Sequence, residues 1–559
     1  MTAPHQSLLG ISGAVDTEVT DPNFNQTVLL LHGDGTNGGQ NNTFTDSSSN
    51  NASMTRNGNI PQGTFNPFLG EGQYSNFFNG AETLSTTLSS AIGTGDMTIE
   101  FWYFPNVFSD YQTLVSVNAN GARANGFNIG TETTETGRLK FVNGDGSSGN
   151  FFSSNNVLAI GVWSHIALTR EGSTVRLFHN GSQLGSVSNS TNWSGTIVAI
   201  GGRADNLTEE RTKGIIMNVN LVVGTAKYDA SGYTTPSSLI SAHANTKLLT
   251  CQSNRFVDNS ASPLTLTVAG TPKVVPFSPL APTASYSESV HGGSGYFDGT
   301  GDYLMTASDL STELTFGTGD FDLSVWLYPT ISTSSRGVYE GRPGGNGNYP
   351  FMRLDGLTPK YSVDLASTGG GPINVNGSTA CQLNAWNFVT WSRVSGTTRI
   401  FLNGTQIGSA SDTRSLDSPG TGNYPYIGAG YAPGDYFTGY MCNYRVRKGV
   451  GVTSQTVPTA PLTSDSDTQL LLDFTNASII DSSMENNIET VADAHIDTSV
   501  KKFGTGSIQF DSVGDEIKMI NSPSQQPRTG PFTIEFFVYF SGTGNHGFFG
   551  NGTGGYYGQ

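Results

Sequence analysis

The sequence repeats itself at a long period of about 220 residues, and the repeated blocks alternate apolar with polar side chains; together these restrict the fold more than any other feature. Three units open on a short apolar run: "TVLLLHGDG" from Thr27, "TKLLTCQSN" from Thr246 and "TQLLLDFTN" from Thr468. An Asp-led polar cluster follows each: "TDSSSNN", "VDNSASP" and "IDSSMEN". A second block recurs as "GQYSNFFNGAETL" from Gly72, "GSGYFDGTGDYL" from Gly293 and "GTGSIQFDSVGDEI" from Gly504. The third reads "GTGDMTIEFWYFP" from Gly93, "GTGDFDLSVWLYP" from Gly317 and "RTGPFTIEFFVYF" from Arg528. Strict alternation after a Gly turn predicts a strand with one face buried. Two further blocks occur in the first two units only. "WSHIALTREGSTVRLFHNGSQLG" from Trp163 and "WNFVTWSRVSGTTRIFLNGTQIG" from Trp386 place alternating runs around a Gly turn and then an Asn-Gly, the pattern of antiparallel hairpins. "GIIMNVNLVVGTAKYD" from Gly214 and "GYMCNYRVRKGVGV" from Gly439 are one more alternating strand.

The implied fold is all-β, a tandem of antiparallel β-sandwiches, and the missing helical period excludes parallel α/β architectures. The block starts divide the chain into an N-terminal anchoring arm at 1–24, sandwiches at 25–245 and 246–467, and a third unit at 468–559. On this reading "KLLT" is the first strand of the second sandwich. The third unit has only its first three blocks, so the natural polypeptide is expected to continue past Gln559 or another chain to complete the unit.

Charged residues are 13% of the chain and Gly accounts for 71 positions, which disfavours long surface helices and favours short strands with many turns. A net charge of −17 argues against nucleic acid or an anionic membrane surface as partner, since both demand clustered Lys and Arg. No basic segment followed by an apolar core opens the sequence, and no 18 apolar residues run together, so neither a signal peptide nor a membrane span is expected. Cys251, Cys381 and Cys442 lie far apart and read as reduced structural thiols. Aligning the unit starts sets Cys251 opposite His32 and Asp473, three side chains with no shared chemistry, which argues against thiol-dependent function.

"FDGTGDYL", "GTGDFDLSVWLYP", the Trp386 hairpin and "GYMCNYRVRKGV" together resemble the laminin G-like, concanavalin A-like jelly roll, in order as well as content. More narrowly, "KLLTCQSNRFVDNSASPLTLT" with "PFSPL" resembles tandem units in structural proteins of marine tailed bacteriophages. That resemblance implies a virion component, a fibre, appendage or surface decoration, assembled in the host cytoplasm. Its implied partners are other virion proteins, further copies of itself in a symmetric homo-oligomer such as a trimer, and a bacterial surface glycan. A bacterial cell-surface adhesin is the alternative, and a polysaccharide depolymerase a third.

Hydrolases of this fold carry a Glu-x-Asp-x-x-Glu strand, because retaining hydrolysis needs paired carboxylates. Here each strand offers one: Glu100 and Glu535, with Ser324 in the second unit, read as solvent-facing positions. No nucleophile elbow or zinc-protease helix is present, and no catalytic residue is assigned. His32, His165 and His179 are expected to be hydrogen-bonded structural residues. The resemblance implies calcium as a candidate cofactor, and Asp298, Asp302, Asp320 and Asp435 as its candidate ligands in the second unit, where the first has Asn79 and Ala81 for the acids of "DGTGD". Loop aromatics Tyr349, Tyr424, Tyr431 and Tyr436 are the candidate carbohydrate platform. Trp102, Trp163, Trp326, Trp386 and Trp391 are expected in cores, and Trp193 in either setting.

Overall fold

The computed structural model describes most of residues 73–276, 288–475, 488–519 and 533–550, with Ile479 and scattered stretches between 31 and 63. The expected N-terminal arm lies outside the described residues.

Two antiparallel sandwiches form, each an eight-stranded front sheet over a seven-stranded back sheet. The first front sheet runs Ser182–Ser188, Thr174–His179, Ser164–Glu171, Met97–Pro105, Lys213–Val223, Ser75–Asn79, Lys273–Val275; its back sheet is centred on Ile197–Ile200, between Thr83–Thr87 and Gln112–Ala119. The second repeats this order, with Phe321–Pro329 between Asn387–Val394 and Thr438–Lys448 in front, and Tyr426–Ile427 between Tyr303–Thr306 and Ser335–Glu340 behind.

The central strands depart from the expected half-buried pattern: all nine residues of Met97–Pro105 and of Phe321–Pro329 are buried. Alternation sorts the side chains between two apolar environments. Leu323, Val325 and Leu327 enter the sandwich interior, while Trp326 and Tyr328 point outward and pack with Val274, Cys251 and Phe256 of the first unit. Tyr328 donates its hydroxyl to the Val274 carbonyl at 2.8 Å, and the Trp386 amide donates to the Asn254 carbonyl at 3.0 Å. So Trp391 and Trp193 fill sandwich interiors, whereas Trp326 and Trp386 fill the contact between sandwiches.

"KLLT" does not open the second sandwich. Thr246–Thr250 pairs with the far half of Lys213–Val223 and so belongs to the first front sheet; Thr468–Leu472 does the same on Thr438–Lys448. Each long strand has a bulge at an Asn of positive φ, Asn218 (59°) and Asn443 (54°), a conformation Asn tolerates better than other side-chain-bearing residues. The bulge lets one strand edge serve two partners, so the apolar run closes the preceding sandwich.

A fully buried arginine pins each sandwich. Arg393 donates to the carbonyls of Gly319 (2.9 Å), Arg414 (3.0 Å) and Gly317 (2.6 Å), and Arg170 makes the same three contacts to Gly95, Thr191 and Gly93. The guanidinium fork thereby ties the Gly turn before the central strand to the loop that crosses to the other sheet.

In the third unit Ile488–Val491 pairs with Glu516–Met519 and His495–Asp497 with Ser507–Gln509 around Ile479, Ile488 and Ile496. The strand expected in "RTGPFTIEFFVYF" does not form: residues 533–540 carry no strand, and Phe537 and Tyr539 are 69% and 77% exposed. Among the described residues no strand lies beside it, and a segment apolar on both faces without neighbours has nothing to pair with.

Arg393→Lys is expected to destabilise the second sandwich by about 3 kcal/mol, because one ammonium cannot satisfy three carbonyls fixed by a planar fork. Urea unfolding against the wild type measures it; an unchanged midpoint contradicts the pinning role.

Candidate functional site

The outer face of the second back sheet brings aromatic rings, guanidinium groups and a carboxylate together. Tyr426, Glu340 and Phe351 lie side by side across three strands. Glu340 is fully buried and accepts from Arg342 Nη2 at 2.7 Å and Nε at 3.0 Å. The Arg342 guanidinium stacks 4.9 Å from the ring of Tyr431, which is 45% exposed, and Arg353 sits 4.7 Å from Phe351. Burial lowers the Arg353 guanidinium against the pull of Asp355 and Asp435. Asp435 stands beside Gly430 and holds the loop, its carbonyl accepting from Gly337 N at 2.7 Å. An exposed aromatic ring backed by guanidinium donors and a buried carboxylate is a stacking platform with hydrogen-bond donors at its rim.

The first back sheet presents different chemistry on the same face. Ser116 takes the place of Glu340, between Ala199 and Asn128. Its hydroxyl donates to Gly202 O at 3.0 Å and accepts from Ala204 N at 2.7 Å, drawing the following loop onto the sheet. There a concavity of about 710 Å³ is lined by Ser85, Thr86, Asp205, Asn206, Thr265 and Thr267.

Of the four candidate tyrosines, Tyr431 lies on the platform. Tyr436 lies 6.3 Å from the ring of Tyr303, itself 5.3 Å from that of Tyr426, and donates its hydroxyl to Pro433 O at 3.0 Å. Tyr349 is half-buried, and burial and then Asp417 raise its phenol. Tyr424 lies outside the described residues. Arg342, Arg353 and Glu340 were not singled out from sequence; the only available signal was an Arg/Glu pair beside a Gly-rich loop.

The four aspartates do not form one ligand set, and no three of them bring carboxylate oxygens within 4.8 Å. Asp298 pairs with Thr438 at one end of the front sheet, while Asp320 precedes Phe321, which pairs with Lys448 at the other. Each has a backbone task. Asp302 Oδ2 accepts from Asp298 N at 2.8 Å, and Asp320 Oδ1 accepts from Ser395 N at 2.8 Å. In the first unit the equivalent acid is Glu82, not Ala81: its Oε2 accepts from Asn79 N at 2.7 Å across a loop one residue shorter. Among the described residues one carboxylate trio lies within 4.8 Å: Asp493, Asp511 and Asp515. A hydrogen bond with Asp515 and the charge of Asp511 raise the Asp493 carboxyl.

Glu100 does not face solvent. It is fully buried, ion-paired with Lys227, and accepts from Asn220 Nδ2 at 2.9 Å and Tyr228 Oη at 2.5 Å. In the second sandwich Ser324 there bonds Thr390 at 2.9 Å. His165 Nδ1 lies 2.7 Å from Tyr233 Oη and His179 Nε2 3.0 Å from Ser164 Oγ, both hydrogen-bonded as expected; His32 lies outside the described residues. All three cysteines are buried free thiols, pushed up by burial.

A family profile described as concanavalin A-like lectin/glucanases superfamily matches residues 78–224 and 298–451, together more than half of the chain. No curated protein matches. Similar solved structures include mouse laminin alpha1 chain domains LG4-5, at 14% identity and a TM-score of 0.26, covering 72% of this chain and 96% of that one. A native heptameric SAP-like pentraxin from Limulus polyphemus is 15% identical with a TM-score of 0.28, covering 36% and 94%. A Ruminococcus gnavus IT-sialidase CBM40 bound to alpha2,3 sialyllactose is 13% identical with a TM-score of 0.23, covering 26% and 86%.

The buried imidazoles have a pH signature. Burial pushes His165 down to about 4 against the pull of Glu100, and burial lowers His179 as well. The unfolded chain takes up a proton near 6.5 and the folded chain does not until about 4, so stability is full above 6.5 and falls between them, by about 3 kcal/mol for His165. His165→Phe, installing the residue of position 388, is expected to flatten the decline in urea midpoint between pH 7 and pH 4.5. Parallel declines in variant and wild type contradict this.

Proposed function

Because the chain belongs to the concanavalin A-like lectin/glucanase superfamily, we propose that it is a non-enzymatic, glycan-binding virion protein of a tailed phage, a fibre, appendage or surface decoration that attaches to the bacterial host. The observation that carries the glycan reading is the exposed Tyr431 ring, stacked by Arg342 over the buried Glu340 carboxylate. A sugar ring offers axial C–H groups to an aromatic face and hydroxyl oxygens to a guanidinium, and here the buried Glu340 carboxylate fixes the Arg342 guanidinium beside the exposed ring. The hydroxyl-lined concavity of the first sandwich is a second, non-aromatic surface for the same class of ligand. The virion setting is supported by the resemblance of "KLLTCQSNRFVDNSASPLTLT" and "PFSPL" to phage structural units. The non-enzymatic reading is supported by Glu100, whose carboxylate is enclosed by Lys227, Asn220 and Tyr228, and by a serine at the equivalent position 324.

Purified protein on an array of bacterial surface polysaccharides is expected to retain a subset of glycans. Tyr431→Ala and Arg342→Ala are each expected to weaken that binding about tenfold, or about 1.4 kcal/mol. Binding unchanged by both substitutions overturns the platform, and hydrolysis of a retained glycan overturns the non-enzymatic reading. Mass spectrometry of purified phage particles tests the setting: absence of this polypeptide from them sinks it.

A further inference from the structure

Three short strand pairs do one structural job on three bodies. The first, Met54–Asn57 with Gln62–Gly63, seals the edge formed by Tyr303–Thr306 and Ser294–Asp298. The second, Thr267–Ala269 with Lys273–Val275, seals Thr83–Thr87 and Ser75–Asn79. The third, Ile488–Val491 with His495–Asp497, seals Glu516–Met519 and Ser507–Gln509. The registers coincide: Asn57, Ala269 and Val491 face Tyr303, Thr83 and Glu516, and Gly63, Val275 and Asp497 face Ser294, Ser75 and Ser507. The residue that leaves the first strand has positive φ each time: Gly58 (75°), Gly270 (75°) and Ala492 (55°).

Only the donors differ. The third pair seals the body that directly follows it. The first and second are exchanged: the pair before the first body seals the second, and the pair before the second body seals the first. One slot geometry thus accepts a neighbouring donor, or one more than two hundred residues away in sequence. Side chains do not distinguish the donors, since matched positions carry like residues, Thr55 with Thr267 and the apolar Met54 with Ile488, and backbone pairing provides the attachment in all three. Fit at the turn is steric. A Cβ on Gly58 would lie 1.9 Å from Asp302 Oδ1, and one on Gly270 would lie 2.6 Å from Ala81 O. An edge that takes any correctly turned strand pair has no means of rejecting one from another molecule, and without a donor it exposes unpaired backbone on both sheets.

We propose that the Tyr303–Thr306 and Ser294–Asp298 edge is an acceptor for the Met54–Gly63 strand pair of a second copy of this chain, so that copies assemble by exchanging edge-sealing strands. The bonds made within and between copies are the same, and the balance is set by the effective concentration of the tethered pair against free protein.

Full-length Thr55→Cys and Met305→Cys variants test this, because those positions face each other in the pairing, are half-exposed, and the native cysteines are buried. The two variants are unfolded together, refolded over a range of protein concentrations and oxidised. A disulfide-linked heterodimer is expected, its yield rising with concentration to about tenfold above a control mixture of Thr55→Cys with the exposed Tyr111→Cys. Yield no higher than the control at every concentration overturns the proposal. So does a double variant Thr55→Cys, Ser85→Cys that closes an intramolecular disulfide while Thr55→Cys, Met305→Cys does not, since the strands would then pair locally. Light scattering on refolded wild-type chain reads the same exchange without substitutions: a strictly monomeric product at high concentration also overturns it.

Discussion

Burial of both faces of the central strands is the constraint on which the rest of this structure hangs. One set of alternate residues, Leu323, Val325 and Leu327, builds the sandwich interior; the other, Trp326 and Tyr328, needs a cover that the sandwich itself does not supply. The cover comes from the neighbouring unit through Val274, Cys251 and Phe256, so the contact between sandwiches completes a core. On the first sandwich the same outward row carries Glu100, Trp102 and Phe104, and here a buried carboxylate is held by Lys227, Asn220 and Tyr228. A carboxylate there is tolerated because each of its oxygens finds a donor and a lysine ammonium pairs with it.

Polar groups do the equivalent work at the ends. Arg170 and Arg393 have no carboxylate as main partner and spend their donors on backbone carbonyls of the Gly turns. The aspartates that resemble metal ligands in sequence do the complementary task, accepting from backbone amides at Asp298 and Ser395. A sandwich with short Gly-rich turns leaves many backbone groups unpaired, and these side chains satisfy them. Ligand-like spacing in such loops therefore reports turn closure first.

Most of the architecture was legible. Strand blocks, antiparallel hairpins and repeat order all follow from alternation and turn chemistry, which are local. The candidate site was legible only in part. Tyr431 stands out in sequence as an aromatic in a Gly-rich loop, whereas Arg342, Glu340, Phe351 and Arg353 gather near it only after strands distant in sequence pair. Asp320 falls near Asp298 in the chain, but the strand Phe321–Pro329 that follows it runs away from it, and only sheet pairing shows that Asp298 sits by that strand's far end.

What the sequence determined by itself was the set of elements: which stretches become strands, where hairpins turn, and that the same sandwich is built more than once. Which sandwich each strand joins was decided by tertiary structure alone. Thr246–Thr250 closes the first sandwich, and Met54–Asn57 seals the second, because a β edge is satisfied by backbone amides and carbonyls that every residue but proline carries in full. Side-chain pattern marks a strand and its buried face; it does not mark the strand's partner when the partner's edge is read through the backbone.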